Sequence, residues 1–143
     1  MRSDKRMVVR AFTIIEVLVI IVIIGVIAAV VAPRLINRIG QAKTSVAASN
    51  AATLATQLKL YQVDCGLPEP GASLSVLWEK PTGAAEASWK GPYIDNQDML
   101  KDPWGNPFIL VIPGQKNVDF DIVSYGADGQ PGGTGDNEDI RKP

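Results

Sequence analysis

The sequence predicts an α+β fold in which one long N-terminal helix packs on a small antiparallel sheet. Three observations predict it. Residues 11–33 are almost wholly apolar and carry a single carboxylate, Glu16. Beyond them, apolar residues recur at spacings of three and four as far as Tyr61, the period of a helix face. Towards the C-terminus two short β-rich runs flank a Pro-Gly turn, the pattern of a hairpin.

The apolar stretch comes first. From Phe12 to Ala32 there are 21 residues, about 31 Å of helix at about 1.5 Å per residue, which matches a bilayer core about 30 Å thick. A buried helix of a soluble domain is the competing reading, but a chain of 143 residues has little core in which to enclose one. Residues 1–10 carry Arg2, Lys5, Arg6 and Arg10 against Asp4 alone. Such a leader predicts a cytoplasmic N-terminus with everything after Pro33 on the far side. A secretory signal has a shorter apolar region and a small-residue cleavage site behind it. Here the apolar run is longer and continues into a helical pattern, so cleavage is expected before the run. A carboxylate one turn into a membrane helix is expensive, and such residues are by default functional and paired. Glu16 therefore either sits at the hydrated interface or meets a cation from another chain.

After Pro33 the helix continues with an apolar stripe of Leu35, Ile39, Ala42, Val46, Leu54, Leu58 and Tyr61, expected to pack on the sheet. The a/d repeat is not strict, which argues against a coiled coil. Gly66 and Pro68 stop the helix. A short helix is expected over residues 73–79, capped by Ser73 and closed by Pro81, then a loop over 82–92. Trp78, Trp89 and Trp104 read as packing residues. The runs 108–112 and 120–124 are the expected strands, joined by a loop at 113–117 and preceded by the turn cluster D-P-W-G-N-P-F at 102–108.

Composition removes several function classes. Without the leader, ten basic side chains face fourteen acidic ones, and no basic patch suits nucleic acid. There is no histidine and one cysteine, Cys65, so Cys/His zinc sites and Ser-His-Asp or Cys-His catalysis are excluded. Cys65 reads as a bystander thiol. The stretch 124–139, S-Y-G-A-D-G-Q-P-G-G-T-G-D-N-E-D, combines flexible glycines with the hard oxygens of Asp128, Asp136, Asn137, Glu138 and Asp139. That composition suits Ca²⁺ better than Mg²⁺, though Gln130 and Gly132 break an EF-hand template. A solvated acidic terminus is the plain alternative.

Three of these motifs resemble one family. R-A-F-T-I-I-E-V-L-V-I-I-V-I-I-G-V-I-A-A-V-V-A-P resembles the class III signal and N-terminal helix of type IV pilins and type II secretion pseudopilins, with Phe12, Glu16 and Pro33 at the family spacing. Ala11 stands where the family usually has Gly. D-P-W-G-N-P-F resembles the signature before the sheet of major pseudopilins, and G-A-D-G-x-x-G-G-x-G-D-N-x-D-I resembles their calcium loop. The resemblance implies a type IV pilin-like fold with a cleaved leader (1–11), a transmembrane and polymerisation helix (12–33) and a periplasmic domain (34–143). It implies cleavage by a prepilin peptidase between Ala11 and Phe12, N-methylation of Phe12, and a salt bridge from Glu16 to the Phe12 amine of a neighbouring copy in a filament. It also implies Ca²⁺ held by Asp128, Asp136 and Asn137 side chains and by Tyr125, Gln130 and Gly133 carbonyls, with Glu138 and Asp139 as substitutes. Implied partners are other copies of the chain, minor pseudopilins, the inner-membrane assembly platform with its ATPase, and membrane lipid. Within that filament Gly25 and Pro33 either kink the helix or let residues 25–33 unwind. A surface type IV pilin and a minor pseudopilin are the nearest rivals, although pilins commonly close their C-terminal region with a disulfide that one cysteine forbids. An anchored carboxylate hydrolase is the rival from another class, and no paired-acid motif supports it.

Overall fold

The computed structural model describes residues 12–143, so the leader and the expected cleavage residue Ala11 lie outside the described residues. The chain divides into two compact units that meet between Arg38 and Ile39. One helix, α1 (Ile14–Cys65), contributes to both.

In the first unit, residues 12–35 are exposed along their whole length. Thr13 caps the start of α1. Its N–H and hydroxyl donate to Glu16 Oε2 at 3.0 and 3.1 Å, and the Glu16 N–H donates back to Thr13 Oγ1 at 3.3 Å. This is a reciprocal capping box, T-x-x-E, which satisfies backbone donors that a helix start leaves orphaned. Helical geometry persists through Gly25 and Pro33. The unwinding of 25–33 is therefore not the conformation seen here. A Cβ at Gly25 would meet nothing within 4 Å, so no packing contact in the chain demands that glycine.

The second unit, Ile39–Pro143, holds the core. Ala51, Leu54, Ala55, Leu58 and Tyr61 of α1 pack with Leu74, Leu77, Ile94, Phe108, Leu110, Phe120 and Ile122. The expected stripe is only half right. Leu54, Leu58 and Tyr61 are buried, whereas Ile39 and Val46 are 59% and 49% exposed and Leu35, in the first unit, is exposed as well. Ala47, Ala51 and Ala55 take the inner positions instead. Both sets repeat at the helical period. Ala51 and Ala55 join Leu54, Leu58 and Tyr61 in the one core cluster that also holds Leu110, Phe120 and Ile122 from around the sheet. Gly66, at φ 83°, ends α1 and donates its N–H to the Gln62 carbonyl at 2.9 Å, the expected glycine stop.

The sheet has three antiparallel strands in the order β1 (Ile109–Val111), β2 (Asp121–Ser124), β3 (Ile140–Lys142). The first two lie inside the expected runs, paired Leu110 to Ile122. The third was not expected, and pairs Ser124 with Ile140 and Ile122 with Lys142. The expected 73–79 helix is a shorter 3-10 turn, Leu74–Leu77, capped by the Ser73 hydroxyl as anticipated. A second 3-10 turn, Gln97–Leu100, is capped by Asn96. Trp78 and Trp89 pack against the core, and the Trp89 indole N–H donates to the Val76 carbonyl at 2.9 Å. At the end of α1, Lys90 Nζ donates to Asp64 Oδ1 at 2.7 Å and the Tyr93 hydroxyl to Oδ2 at 3.0 Å. These bonds, Lys90's first, hold the Asp64 carboxyl below the usual carboxylate range.

The β1–β2 loop is closed by one buried carboxylate. Asp121 is fully buried, and its Oδ2 accepts the N–H groups of Gln115 at 2.6 Å and Lys116 at 2.8 Å, while Oδ1 accepts from the Asn117 amide. A buried charge persists only when so paired.

Candidate functional site

The residues expected to be functional fall in two places, one in each unit. The first is the start of α1. Phe12 is 77% exposed and lies one residue before the cap. Glu16 is the only charge between Phe12 and Pro33, and Thr13 engages its Oε2. The capping box is written in the sequence as T-x-x-E, Thr13 to Glu16.

The second is the C-terminal loop between β2 and β3. Its two arms are closed by the Ala127 N–H donating to the Asp136 carbonyl at 2.8 Å. A 3-10 turn, Gly135–Asn137, ends the loop. Gly126 has φ 68° and a Cβ there would run into the backbone of Asp136 and Asn137, so the arms touch at a point only glycine allows. Gly133 lies against Asn137 in the same way. The structure thus brings Tyr125, Gly133, Asp136 and Asn137 of the expected ligand set to neighbouring backbone positions. Asp128 is exposed and its Oδ1 accepts the Gln130 N–H at 3.1 Å, an Asx-turn. The Asp136 carboxylate lies against Gly40 of α1, where a Cβ would collide with it. Asp139, expected as a substitute ligand, is otherwise engaged: it accepts from the Gly132 N–H at 2.9 Å and from Arg141 at 3.1 Å.

The donor chemistry of this loop fits Ca²⁺. Asp128 and Asp136 are the only carboxylates of the expected set; the others are an amide oxygen and backbone carbonyls, hard oxygens on a glycine-rich segment. Among the described residues no three carboxylate or thiol groups gather as a metal cluster, and a site built from two carboxylates and neutral oxygens does not require one.

Beneath the loop lies a network that the sequence reading missed. Asp102, 5% exposed, accepts the Ser124 hydroxyl at 2.7 Å on Oδ2 and the N–H groups of Trp104 and Asn106 at 3.0 and 2.9 Å on Oδ1. The Asn106 amide donates to the Gly126 carbonyl at 2.8 Å, and the Gly126 N–H donates to Ser124 Oγ at 3.2 Å. D-x-x-x-N within a turn cluster marks the first half of this network. Its partners some twenty positions away left no local signal.

An exposed apolar helix bearing one carboxylate at its start, continuous with the helix of a small α+β unit with an acidic glycine loop before its last strand, matches the class of protein to which this chain's relatives belong. The crystal structure of the major pseudopilin from the type 2 secretion system of enterohaemorrhagic Escherichia coli is similar, with a TM-score of 0.62 and 31% identity, over 76% of this chain and 93% of that one. The type II secretion system core protein G of Pseudomonas aeruginosa is 39% identical over 132 residues, covering 90% of this chain and 91% of that protein. The corresponding Vibrio cholerae protein is 36% identical over 131 residues, covering 90% and 88%. The family model for type II secretion system protein G matches residues 34–143. This chain belongs to the type II secretion system protein G family.

Proposed function

We propose that the chain is a major pseudopilin subunit that polymerises through its N-terminal helix into a periplasmic pseudopilus, which drives export of folded proteins across the outer membrane. It works as a structural subunit, not an enzyme. The observation that carries this reading is the exposed apolar stretch from Phe12 to Pro33 with Glu16 as its one charged residue, in a chain of this family. An apolar surface of that extent is not stable in water. It is covered by the inner membrane before assembly and by neighbouring helices, including those of minor pseudopilins, after it. Insertion with the basic leader in the cytoplasm presents the boundary between Ala11 and Phe12 to a prepilin peptidase. The assembly platform and its ATPase then extract the subunit, whose new Phe12 amine, N-methylated, pairs with Glu16 of the next copy. Thr13 engages one carboxylate oxygen within the chain, which leaves acceptor capacity on Glu16 for the neighbour's amine. In the C-terminal loop the side chains of Asp128, Asp136 and Asn137, with the carbonyls of Tyr125, Gln130 and Gly133, would hold Ca²⁺. When bound, Ca²⁺ supplies a cross-link between the two arms of the loop.

Paired substitutions separate the charge pair from the cap. Glu16→Ala removes both. Glu16→Gln keeps a residue that serves a capping box and removes the charge. Membrane insertion is expected to survive in both, while filament yield falls at least about tenfold in both, the loss of about 1.4 kcal/mol or more. Normal filaments from Glu16→Gln would show that the cap, not the charge, is what assembly requires.

A further inference from the structure

We propose that Asp102, Ser124 and Asn106 are positioning residues for the cation-binding arm of the C-terminal loop: they hold the Gly126 peptide groups so that the Tyr125 carbonyl and the Asp128 segment are set before the ion arrives. The inference rests on the calcium reading of that loop.

Asp102 receives three hydrogen bonds on a carboxylate that is almost wholly buried. The turn is closed a second time through its backbone: the Asp102 N–H donates to the Asn106 carbonyl at 2.8 Å and the Gly105 N–H to the Asp102 carbonyl at 3.0 Å. Gly105, at φ 94°, makes the reversal that L-residues with side chains avoid. Asn106 is therefore presented from a rigid base, and its amide reaches the Gly126 carbonyl.

Gly126 is held from both sides. Its carbonyl is fixed by Asn106 and its N–H by the Ser124 hydroxyl, which itself donates to Asp102. A peptide unit is planar and trans, so the direction of an N–H fixes the direction of the carbonyl before it. The Gly126 N–H shares its plane with the Tyr125 carbonyl. Through Ser124, then, Asp102 sets where the Tyr125 oxygen points. On the other side the Asn106 amide lies against Gly129, the residue after Asp128. The segment from Gly126 to Gly129 thus wraps around one amide, with Asp128 on the outside of the wrap and exposed. A side chain at Gly129 would be pressed against that amide, at 3.2 Å from the nearest atoms.

Residues that orient metal ligands without touching the metal typically change affinity by about tenfold to a hundredfold when removed. The test titrates the full chain, in detergent micelles, with Ca²⁺ and follows binding by calorimetry, for the parent, Asn106→Ala, Ser124→Ala and the core substitution Ile94→Val. In parallel, hydrogen exchange of the Gly126 amide is read in chelator. Asn106→Ala and Ser124→Ala should bind Ca²⁺ about tenfold to a hundredfold more weakly, while Ile94→Val binds as the parent does. The Gly126 amide should exchange at least about tenfold faster in Ser124→Ala without any metal present, since its acceptor is gone. Ser124 is fully buried, so if Ser124→Ala fails to fold, the half-buried Asn106 carries the test alone. Parent-like affinity in a folded Asn106→Ala, in a chain whose parent binds Ca²⁺, overturns the positioning role and leaves the calcium reading standing. A parent chain that binds no Ca²⁺ overturns both.

Discussion

Asp121 shows how one carboxylate can hold a whole loop. Burial works against its charge, but the N–H of Lys116, the amide of Asn117 and the N–H of Gln115 together hold its carboxyl below the ordinary value. A carboxyl depressed in the folded state stabilises the fold above its unfolded pKa, about 3.9, and that contribution is lost as pH falls through the lower folded value. Replacing it with Asn puts an amide against donors that need an acceptor. Asp121→Asn should cost about 1–3 kcal/mol at pH 7, the usual penalty for buried donors left unpaired. The difference between parent and variant should narrow as pH falls through the folded carboxyl's pKa. Urea melts across the acid range check this. A gap that stays constant down to acid would mean the carboxylate charge is not what the loop depends on.

At the scale of elements, α1 presents two apolar stripes in the second unit: Ala47, Ala51 and Ala55 are buried, whereas the stripe through Ile39, Ala42 and Val46 is exposed until it reaches Leu54, Leu58 and Tyr61. Ala51 is fully buried in the core, so Ala51→Leu should overpack that face and cost about 1–3 kcal/mol. Ala42 is on the exposed side, and Ala42→Leu should stay within about 0.5 kcal/mol. Denaturant melts of the two variants compare them directly; equal losses would mean that the alanine face is not the packed one. The same two stripes explain how far the sequence could be read. Helix existence and its stop were legible, because period and the Gly66–Pro68 signal are local. The β1–β2 hairpin was legible for the same reason. Which stripe faces inward was not, since Val46 and Ala47 both satisfy the period and the choice depends on what arrives from far along the chain. Strand β3 was not legible either. Ile140, Arg141 and Lys142 have no alternating pattern to speak of, and become a strand by pairing with β2. Of the candidate site, the acidic loop and Glu16 stood out by composition. The Asp102–Ser124 and Asn106–Gly126 bonds did not, because hydrogen bonds between residues about twenty apart leave no local mark in the chain.

For the molecule as a whole, the proposed processing and the proposed calcium loading are separable, each with its own test. Ala11→Lys places a long cation where a small residue is expected before Phe12, so the leader should stay on and the product should run at precursor size in membranes. A product of mature size would place the cleavage elsewhere. Calcium loading is read by melting the second unit in excess Ca²⁺ and in chelator. A ligand that binds only the folded state adds about 2.7 kcal/mol at a hundred times its dissociation constant. For a unit of this size each kcal/mol is worth about 4–8 °C at the midpoint, so the melt should move by about ten degrees or more. Mg²⁺ at the same concentration should move it far less, because a loop of carbonyls and two carboxylates does not impose the strict octahedron that Mg²⁺ demands. Asp128→Ala should abolish the Ca²⁺ shift while leaving the metal-free melt almost unchanged, since Asp128 is exposed and, among the described residues, its side chain hydrogen-bonds only the Gln130 N–H. Should Ca²⁺ move neither chain, the loop is a closed but metal-free terminus, held by Asp139 between Gly132 and Arg141 and by the Ala127–Asp136 bond. Those contacts then keep the loop closed without metal, while β3 is held on the sheet by its own pairing with β2.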